Sequence, residues 1–245
     1  MGARISVIII AYNEEKYISN ILKGLSVQTL QNFEVIVVDS NSSDQTEKVA
    51  KDFAADFAEF SYVKLNETMG PAHGRNQGAA AARYDRLLFF DADTTILPHF
   101  IATVTAEMEK RRLDLATCPI RILEGDFVSN LGAYFLNAFM YVLKPLYSAA
   151  YGACFISNKR THELVGGFDE TLGICEDCNY LKKARRKHGL KFGILSPYFF
   201  TSDRRAKSEG GLRFMFKYIR IHLYRMLTGK EVTKKEIVYS YGIYE

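Results

Sequence analysis

Short apolar runs alternate with amphipathic segments along the first 95 residues of the chain. The apolar runs occupy residues 5–10, 33–38, 62–65 and 87–90. Their β-branched and aromatic side chains predict buried strands, and the segments between them carry apolar residues at helical spacing. Alternating strands and helices predict an α/β protein with a mostly parallel sheet and right-handed crossovers.

The pattern changes in the second half of the chain. It predicts a helix after Pro98 that ends near Arg112, and then strands at residues 114–119 and 151–157. Three further helices are expected: an uncharged, aromatic-rich helix at 127–143, a helix from Glu176 to His188, and a basic amphipathic helix at 212–227. Gly189 suits the end of the second of these because glycine adopts the left-handed conformation of a helix C-cap.

Polar side chains follow three of the predicted strands. Asn13, Asp39 and Asp91 stand at or just past strand carboxyl ends, and such ends converge on the crevice where open α/β sheets bind ligands. Asp91 and Asp93 are one residue apart, so in an extended segment both can reach one Mg2+ ion. The alternative is a turn in which Asp93 or Thr94 caps the following helix.

The 245 residues, with 48% hydrophobic and 24% charged side chains, predict an ordinary globular protein. The net charge of +4 is unevenly distributed. Residues 182–235 hold sixteen of the 32 Lys and Arg residues but three acidic residues, a local charge of +13. This segment indicates an anionic partner. No RNA- or DNA-binding pattern accompanies it, so nucleic acid is not the expected partner.

Four cysteines in a chain of this length do not form a disulfide framework, and no signal peptide precedes Ile5. We therefore expect a cytoplasmic protein. Cys175 and Cys178 have the spacing of zinc ligands, but no second pair stands at motif spacing, so neither a metal nor a redox role is expected. The first turn lacks the glycine patterns of dinucleotide and P-loop sites, which disfavours nicotinamide chemistry and ATP hydrolysis.

Four motifs resemble family 2 glycosyltransferases in order and spacing, and the resemblance extends from residue 4 to about 200. They are SVIIIAYNEE at 6–15, VVDSNSSD at 37–44, GRNQG at 74–78 and DAD at 91–93. The resemblance implies a GT-A fold: a Rossmann-like, mostly parallel central sheet flanked by helices, here with a C-terminal helical extension. It divides the chain into a nucleotide-sugar-binding half (1–95), an acceptor-binding and catalytic half (96–200) and a basic amphipathic extension (201–245).

The resemblance also implies roles for individual residues. The base and ribose of a nucleotide-sugar would be held by Ala11, Tyr12, Asn13, Glu14 and Asp39. Arg75 would lie near the phosphates, or else form an ion pair on a helix surface. Asp91 would serve the ribose and the metal, and Asp93 the metal, which would be Mg2+ or Mn2+.

Two further sets of residues complete the expected site. The pair that opens the predicted helix at 176 would supply Asp177 as the catalytic base and Glu176 as an acceptor ligand. Arg204 and Arg205 would contact the diphosphate or an acceptor phosphate, or else be solvated. The chain has no Trp, whereas processive members carry a Gln-x-x-Arg-Trp motif, so a polysaccharide synthase is not expected.

The expected function is the transfer of one sugar from a UDP- or GDP-sugar to a hydroxyl or phosphate of an acceptor, by metal-dependent inverting displacement. The acceptor would be lipid-linked, membrane-borne or anionic, because the 127–143 and 212–227 helices suit a membrane interface. Each helix can instead pack against protein. Peripheral attachment at the inner face of the cell membrane is therefore a second expectation. A sugar-1-phosphate nucleotidyltransferase and a non-catalytic binding protein of the same fold are the alternatives.

Overall fold

The computed structural model describes residues 4–123, 125 and 127–235. The described strands are β1 (Ile5–Ala11), β2 (Phe33–Asp39), β3 (Phe60–Lys64), β4 (Arg86–Asp91), β5 (Leu115–Thr117), β6 (Ile120–Ile122), β7 (Cys154–Asn158), β8 (Phe192–Ile194) and β9 (Phe199–Thr201). The described helices are α1 (Ile18–Ser26), α2 (Thr46–Asp52), α3 (Pro71–Ala81), α4 (Phe100–Arg111), α5 (Phe127–Leu143), α6 (Lys159–Val165), α7 (Glu176–His188), α8 (Arg204–Glu209) and α9 (Gly211–Thr228).

Seven strands form the central sheet in the order β3-β2-β1-β4-β7-β5-β8. Strands β3, β2, β1 and β4 run parallel, as do β5 and β8, whereas β7 lies antiparallel between β4 and β5. The prediction of a mostly parallel sheet is therefore confirmed. A second, two-stranded sheet pairs β6 with β9.

Helices cover both faces of the central sheet, and the close approach of α3 depends on glycine. A Cβ placed on Gly78 would lie 2.3 Å from Cγ2 of Ile8 on β1. The missing side chain lets the α3 backbone pack directly on the sheet. This contact fixes the position of Arg75, which lies one turn earlier on the same helix.

The predicted aromatic-rich helix forms with the expected bounds, as α5. Its polar residue Asn137 accepts a hydrogen bond from the backbone N–H of Ile120 and donates one to the backbone carbonyl of the same residue, at 3.0 and 2.8 Å. Met140 is buried on the same side, whereas Phe127 and Val142 are 81% and 72% exposed. The helix therefore packs along one edge and leaves an apolar face uncovered.

The basic amphipathic helix also forms, as α9, and its residues Ile221 and Arg225 are buried. The segment that follows returns to the loop before α7, where the N–H of Gly173 donates to the carbonyl of Val232 at 3.1 Å. Within the described residues, none of the helices has both the length and the apolar character needed to cross a membrane.

Candidate functional site

The carboxyl ends of three adjacent parallel strands meet at one edge of the central sheet. In the strand register, Ala11 on β1 is paired with Asp39 on β2, and Ile10 is paired with Asp91 on β4. The three strand ends that the sequence predicted to converge do so.

The loop after β1 is held by the loop after β2. Asn13 has a left-handed backbone (φ 54°), and its side-chain oxygen accepts a hydrogen bond from the N–H of Ser43 at 2.9 Å. In return, the N–H of Asn13 donates to Oγ of Ser42 at 2.8 Å, and Ser42 donates to Asp39. These bonds give Ala11, Tyr12 and Asn13 a fixed backbone beside Asp39. The carboxylate of Asp39 is buried, with the hydroxyl of Tyr62 beside it.

Glu14 is buried at the start of the same loop. Its carboxylate accepts a hydrogen bond from Arg204, which comes from the far end of the chain. Burial raises the pKa of Glu14 to about 7, although Arg204 opposes that rise. The side chain can therefore gain or lose a proton near neutral pH, according to what lies against it.

Arg204 connects the C-terminal extension to the sheet edge. Besides Glu14, its guanidinium lies 3.5 Å from Oδ2 of Asp93 and 4.5 Å from the centre of the Tyr17 ring. Ser202 also donates to Oδ2 of Asp93, at 2.9 Å. The start of α8 therefore covers this part of the crevice. The side chain of Arg205 lies outside the described residues.

Arg75 is the centre of a buried ion network. Its side chain is 2% exposed, and it donates to Oδ1 of Asp91 at 2.7 Å and to Oε1 of Glu176 at 2.6 Å. A Cβ at Gly152 would lie 2.7 Å from Nη2 of Arg75, so a larger residue there would displace the guanidinium from its present position. The alternative of an ion pair on a helix surface was wrong, because α3 turns this residue towards the sheet.

Asp177 lies buried beside this network, in the first turn of α7. Its Oδ1 accepts a hydrogen bond from the N–H of Cys178 at 2.6 Å. Burial, together with Cys178 and Glu176, raises the pKa of Asp177 above its ordinary value against the opposing charge of Arg75. A carboxylate with a raised pKa is a stronger base than an exposed one.

Asp91 and Asp93 face different partners, but both remain at the crevice. Asp91 uses Oδ1 for Arg75 while its side chain stays 37% exposed. The idea that Asp93 or Thr94 caps the next helix was wrong, since α4 begins only at Phe100. Two carboxylates at a strand end supply the hard oxygen ligands that Mg2+ and Mn2+ take, so the residues present fit such an ion.

A second polar cluster beside Arg75 was not among the predicted site residues. Glu170 accepts hydrogen bonds from Asn76 at 2.7 Å and from His73 at 3.0 Å. Asn76 also bonds to both the N–H and the carbonyl of Phe168. Asn76 lies within the GRNQG motif, so that motif could have identified Asn76 as a site residue. The cluster fixes the loop before α7 against α3, and thereby helps to position Glu176.

The part of the chain that carries these site residues matches a known protein family. The model of the glycosyl transferase family 2 matches residues 6–158, which include the three converging strand ends and Arg75. The chain belongs to glycosyl transferase family 2. The family resemblance predicted from the four motifs is confirmed.

The relatives share part of their length with this chain. An uncharacterized glycosyltransferase of Bacillus subtilis, YfnE, is 40% identical over 98 residues, which are 40% of this chain and 25% of YfnE. The matched segments span 14–28% of the sequences of this and the next two relatives, so activity and substrates of the whole proteins do not transfer directly.

Solved structures show the same fold. The mannosyltransferase PcManGT from Pyrobaculum calidifontis, in complex with GDP-Man and Mn2+, has a TM-score of 0.75 at 20% identity, covering 95% of this chain and 66% of that one. S. aureus TarS 1-349 in complex with UDP-GlcNAc has a TM-score of 0.65 at 23% identity, covering 82% and 59%. The predicted GT-A fold is confirmed.

Proposed function

We propose that this protein transfers a single sugar from a UDP- or GDP-sugar to an acceptor hydroxyl or phosphate. The observation that carries the proposal is the ion network of Arg75, which ties Asp91 at the strand edge to Glu176 at the start of α7. One buried arginine thus fixes the distance between the carboxylates proposed for the donor and those proposed for the acceptor. Family membership and the nucleotide-sugars in two structures of the same fold support this reading.

The donor would lie along the converging strand ends. Ala11, Tyr12 and Asn13 line the first loop, and the buried carboxylate of Asp39 is a hydrogen-bond acceptor suited to the base or ribose. Mg2+ or Mn2+, when bound by Asp91 and Asp93, would stabilise the charge that develops on the diphosphate leaving group.

Arg204 would take part in donor binding by exchanging partners. In the structure its charge is balanced by Glu14 and Asp93, and a diphosphate is a stronger partner for a guanidinium than a single carboxylate. Glu14 has a pKa raised to about 7 by burial, so it can take up a proton when Arg204 moves to the phosphates. Arg205, the next residue, is proposed for the same phosphates from its sequence position.

Asp177 would act as the catalytic base of an inverting transfer. In such a reaction a carboxylate removes the proton of the acceptor hydroxyl while its oxygen attacks the anomeric carbon from the face opposite the nucleotide. The raised pKa of Asp177, caused first by burial, suits proton abstraction near neutral pH. Glu176 is held by Arg75 beside it and would orient the acceptor.

The acceptor is proposed to be lipid-linked or otherwise membrane-borne. On α9 the exposed side chains of Phe216, Ile219, Leu223 and Leu227 lie along one face at helical spacing. Arg213 and Arg220 lie along one edge of that face. An apolar stripe bordered by cations suits the interface of an anionic bilayer. We therefore propose a cytoplasmic enzyme attached peripherally to the inner face of the membrane.

The decisive experiment measures binding of UDP and GDP by calorimetry, with and without Mn2+, in wild type, Asp93→Asn and Asp52→Asn. Asp52 is an exposed carboxylate at the end of α2 and serves as the matched control. Losing a ligand should weaken metal-assisted binding at least about tenfold, since even residues that only support a ligand cost about 10–100-fold. EDTA should have the same effect as Asp93→Asn, and added Mn2+ should reverse it.

Nucleotide binding that is equally tight with EDTA and in Asp93→Asn would overturn the metal assignment. Absence of binding to every nucleotide diphosphate and nucleotide-sugar would instead favour a non-catalytic protein of this fold. A screen of UDP-, GDP- and dTDP-sugars by thermal shift identifies the donor, because a ligand that binds only the folded state raises the melting temperature.

A further inference from the structure

Two cysteines and a histidine meet beneath the start of α7. Cys175 immediately precedes that helix, Cys178 lies in its first turn, and His222 comes from α9. One ligand atom from each of the three residues lies within 4.8 Å of the others. Among the described residues, this is the one group of three or more Cys, His, Asp or Glu side chains close enough to hold a metal ion.

The spacing of these atoms is close to that of a zinc site. Ligand atoms on a tetrahedral Zn2+ ion lie about 3.5–3.8 Å apart, given metal–sulfur and metal–nitrogen distances of about 2.3 and 2.0 Å. Side-chain adjustments of about 1 Å would therefore complete the geometry. Two thiolates and an imidazole form a soft ligand set that favours Zn2+ over the hard cations suited to Asp91 and Asp93.

The imidazole is already oriented by a second layer of hydrogen bonds. Nδ1 of His222 lies 2.9 Å from the hydroxyl of Tyr147, which leaves Nε2 as the coordinating nitrogen. Arg225 donates to the same hydroxyl at 2.7 Å and to Glu231 at 2.8 Å. Zinc-binding histidines are commonly fixed in this way, through their other ring nitrogen.

Zinc binding at this group would release the thiol protons of both cysteines, and the two thiolates would balance the charge of Zn2+.

We propose that Cys175, Cys178 and His222 bind a Zn2+ ion that joins α7 to α9. Three protein ligands leave the fourth position for water or another small ligand. Glu176 and Asp177 lie in sequence between the two cysteines, so the ion would fix the helix start that carries both carboxylates. It would also connect that helix to the basic amphipathic helix α9. This role is separate from the proposed donor-binding metal.

The test is the metal content and cobalt spectrum of the full chain. Protein purified without a chelating tag should contain about one Zn2+ per chain by mass spectrometry, as one such site requires. After chelation, Co2+ should give thiolate charge-transfer absorption and the visible bands of a tetrahedral ion. Cys178→Ser and His222→Gln should abolish both signals or weaken metal affinity more than about a hundredfold. Residues that only support a ligand cost about 10–100-fold in metal affinity, so the loss of a ligand should exceed that range.

Three controls separate this site from loss of folding and from the donor site. Cys118→Ser changes a buried thiol that lies beside Cys154, and it should keep the full metal content. Tyr147→Phe should keep the fold by circular dichroism but lower zinc affinity about 10–100-fold. Asp93→Asn should lose Mn2+-assisted nucleotide binding and keep zinc.

The proposal is overturned if wild type takes up no Co2+ with a thiolate band. It is equally overturned if folded Cys178→Ser or His222→Gln binds zinc as tightly as wild type. Because the readouts are metal content and absorption, a failure of the proposed transferase activity leaves them unaffected.

Discussion

Charge balance around Arg75 decides which carboxylates are available for chemistry. Removing one partner of a buried ion pair leaves the remaining charge uncompensated and costs about 3–5 kcal/mol of stability. Arg75 therefore holds Asp91 and Glu176 close together. Asp177 is left with a hydrogen bond from the N–H of Cys178 and a raised pKa. The raised pKa suits the carboxylate of Asp177 to take up a proton.

Asp177→Asn should therefore lower turnover at least about a hundredfold, the usual scale for a general base. Asparagine can still accept the bond from Cys178 N–H through its amide oxygen, so nucleotide affinity and the circular dichroism spectrum should stay unchanged. Glu163→Gln, an exposed carboxylate change on α6, should leave turnover unaltered. Rates equal to wild type in Asp177→Asn would place the base elsewhere.

The same raised pKa gives a pH dependence. A base works only when deprotonated, so activity should fall as the pH drops through the pKa of Asp177. Because burial raises that pKa, the acidic limb of the turnover profile should lie above the usual carboxyl range of about 4. The limb should be absent from the residual activity of Asp177→Asn.

The positions of some site residues could be predicted from the sequence, and those of others could not. Asp39 and Asp91 follow apolar strands, and strand ends converge by geometry, so their meeting could be predicted. The burial of Arg75 could not, since its partner Glu176 is 101 residues away. The proximity of His222 to Cys175 and Cys178 likewise depends on the packing of α9 on α7. The spacing of the cysteines in the sequence could not show that His222 lies beside them.

At the scale of elements, the α3–β1 contact positions the site. Helix α3 begins with Pro71 after Gly70, whose φ of 94° suits glycine, and it packs on the sheet through Gly78. Because Arg75 lies on this helix, a shift of α3 away from β1 would lengthen its bonds to Asp91 and Glu176.

Gly78→Ala should destabilise the protein despite the better helix propensity of alanine. The new Cβ would lie 2.3 Å from Cγ2 of Ile8 and 3.2 Å from Cγ2 of Val38, and overpacking of this kind costs about 1–3 kcal/mol. For a chain of this size that corresponds to a fall in melting temperature of about 2–12 °C. Donor affinity should fall with it, as Arg75 moves.

Gly132→Ala on α5 is the matched control, because a Cβ there meets nothing within 4 Å. It should leave stability unchanged or raise it by up to about 1 kcal/mol. An equal gain in both variants would show that α3 has room to spare and that its glycine is not a packing requirement.

The types of most elements and the parallel pairing of the first strands could be predicted, but the pairing of β7 could not. The strand at β7 has the expected apolar pattern, yet nothing in residues 154–158 shows that it enters the sheet antiparallel. The predicted helices α5, α7 and α9 form within a residue of their expected bounds. The short helix α8 has no such periodicity, so its placement of Arg204 over Glu14 is a product of tertiary packing.

At the scale of the whole molecule, the basic extension serves both the proposed crevice and the proposed membrane face. Its first residues bring Ser202 and Arg204 to Asp93, and α9 follows almost immediately with its exposed apolar stripe. An attachment through α9 would therefore hold the crevice near a membrane-borne acceptor. Transfer to such an acceptor should then depend on α9 more strongly than transfer to a water-soluble analogue does.

Replacement of Arg213, Lys217 and Arg220 by Gln should release the protein from anionic liposomes. Each cation near an anionic surface contributes about 1 kcal/mol, so the triple change should weaken binding on the order of a hundredfold. Lys217 also pairs with Glu209 at 2.8 Å, which makes its share the smallest. Flotation of wild type should fall as salt rises, because salt screens these charges.

The matched control replaces Arg186, Lys187 and Lys191, all exposed and outside α9, and removes the same charge. If the basic border of α9 is the anchor, this control should float like wild type while the α9 variant stays at the bottom of the gradient. Equal loss in both would mean that net charge alone drives attachment. Equal flotation of wild type on neutral and anionic liposomes would assign the attachment to the apolar stripe at Phe216 and Leu223. Failure of wild type to float under any condition would leave a water-soluble acceptor as the substrate of the proposed transfer.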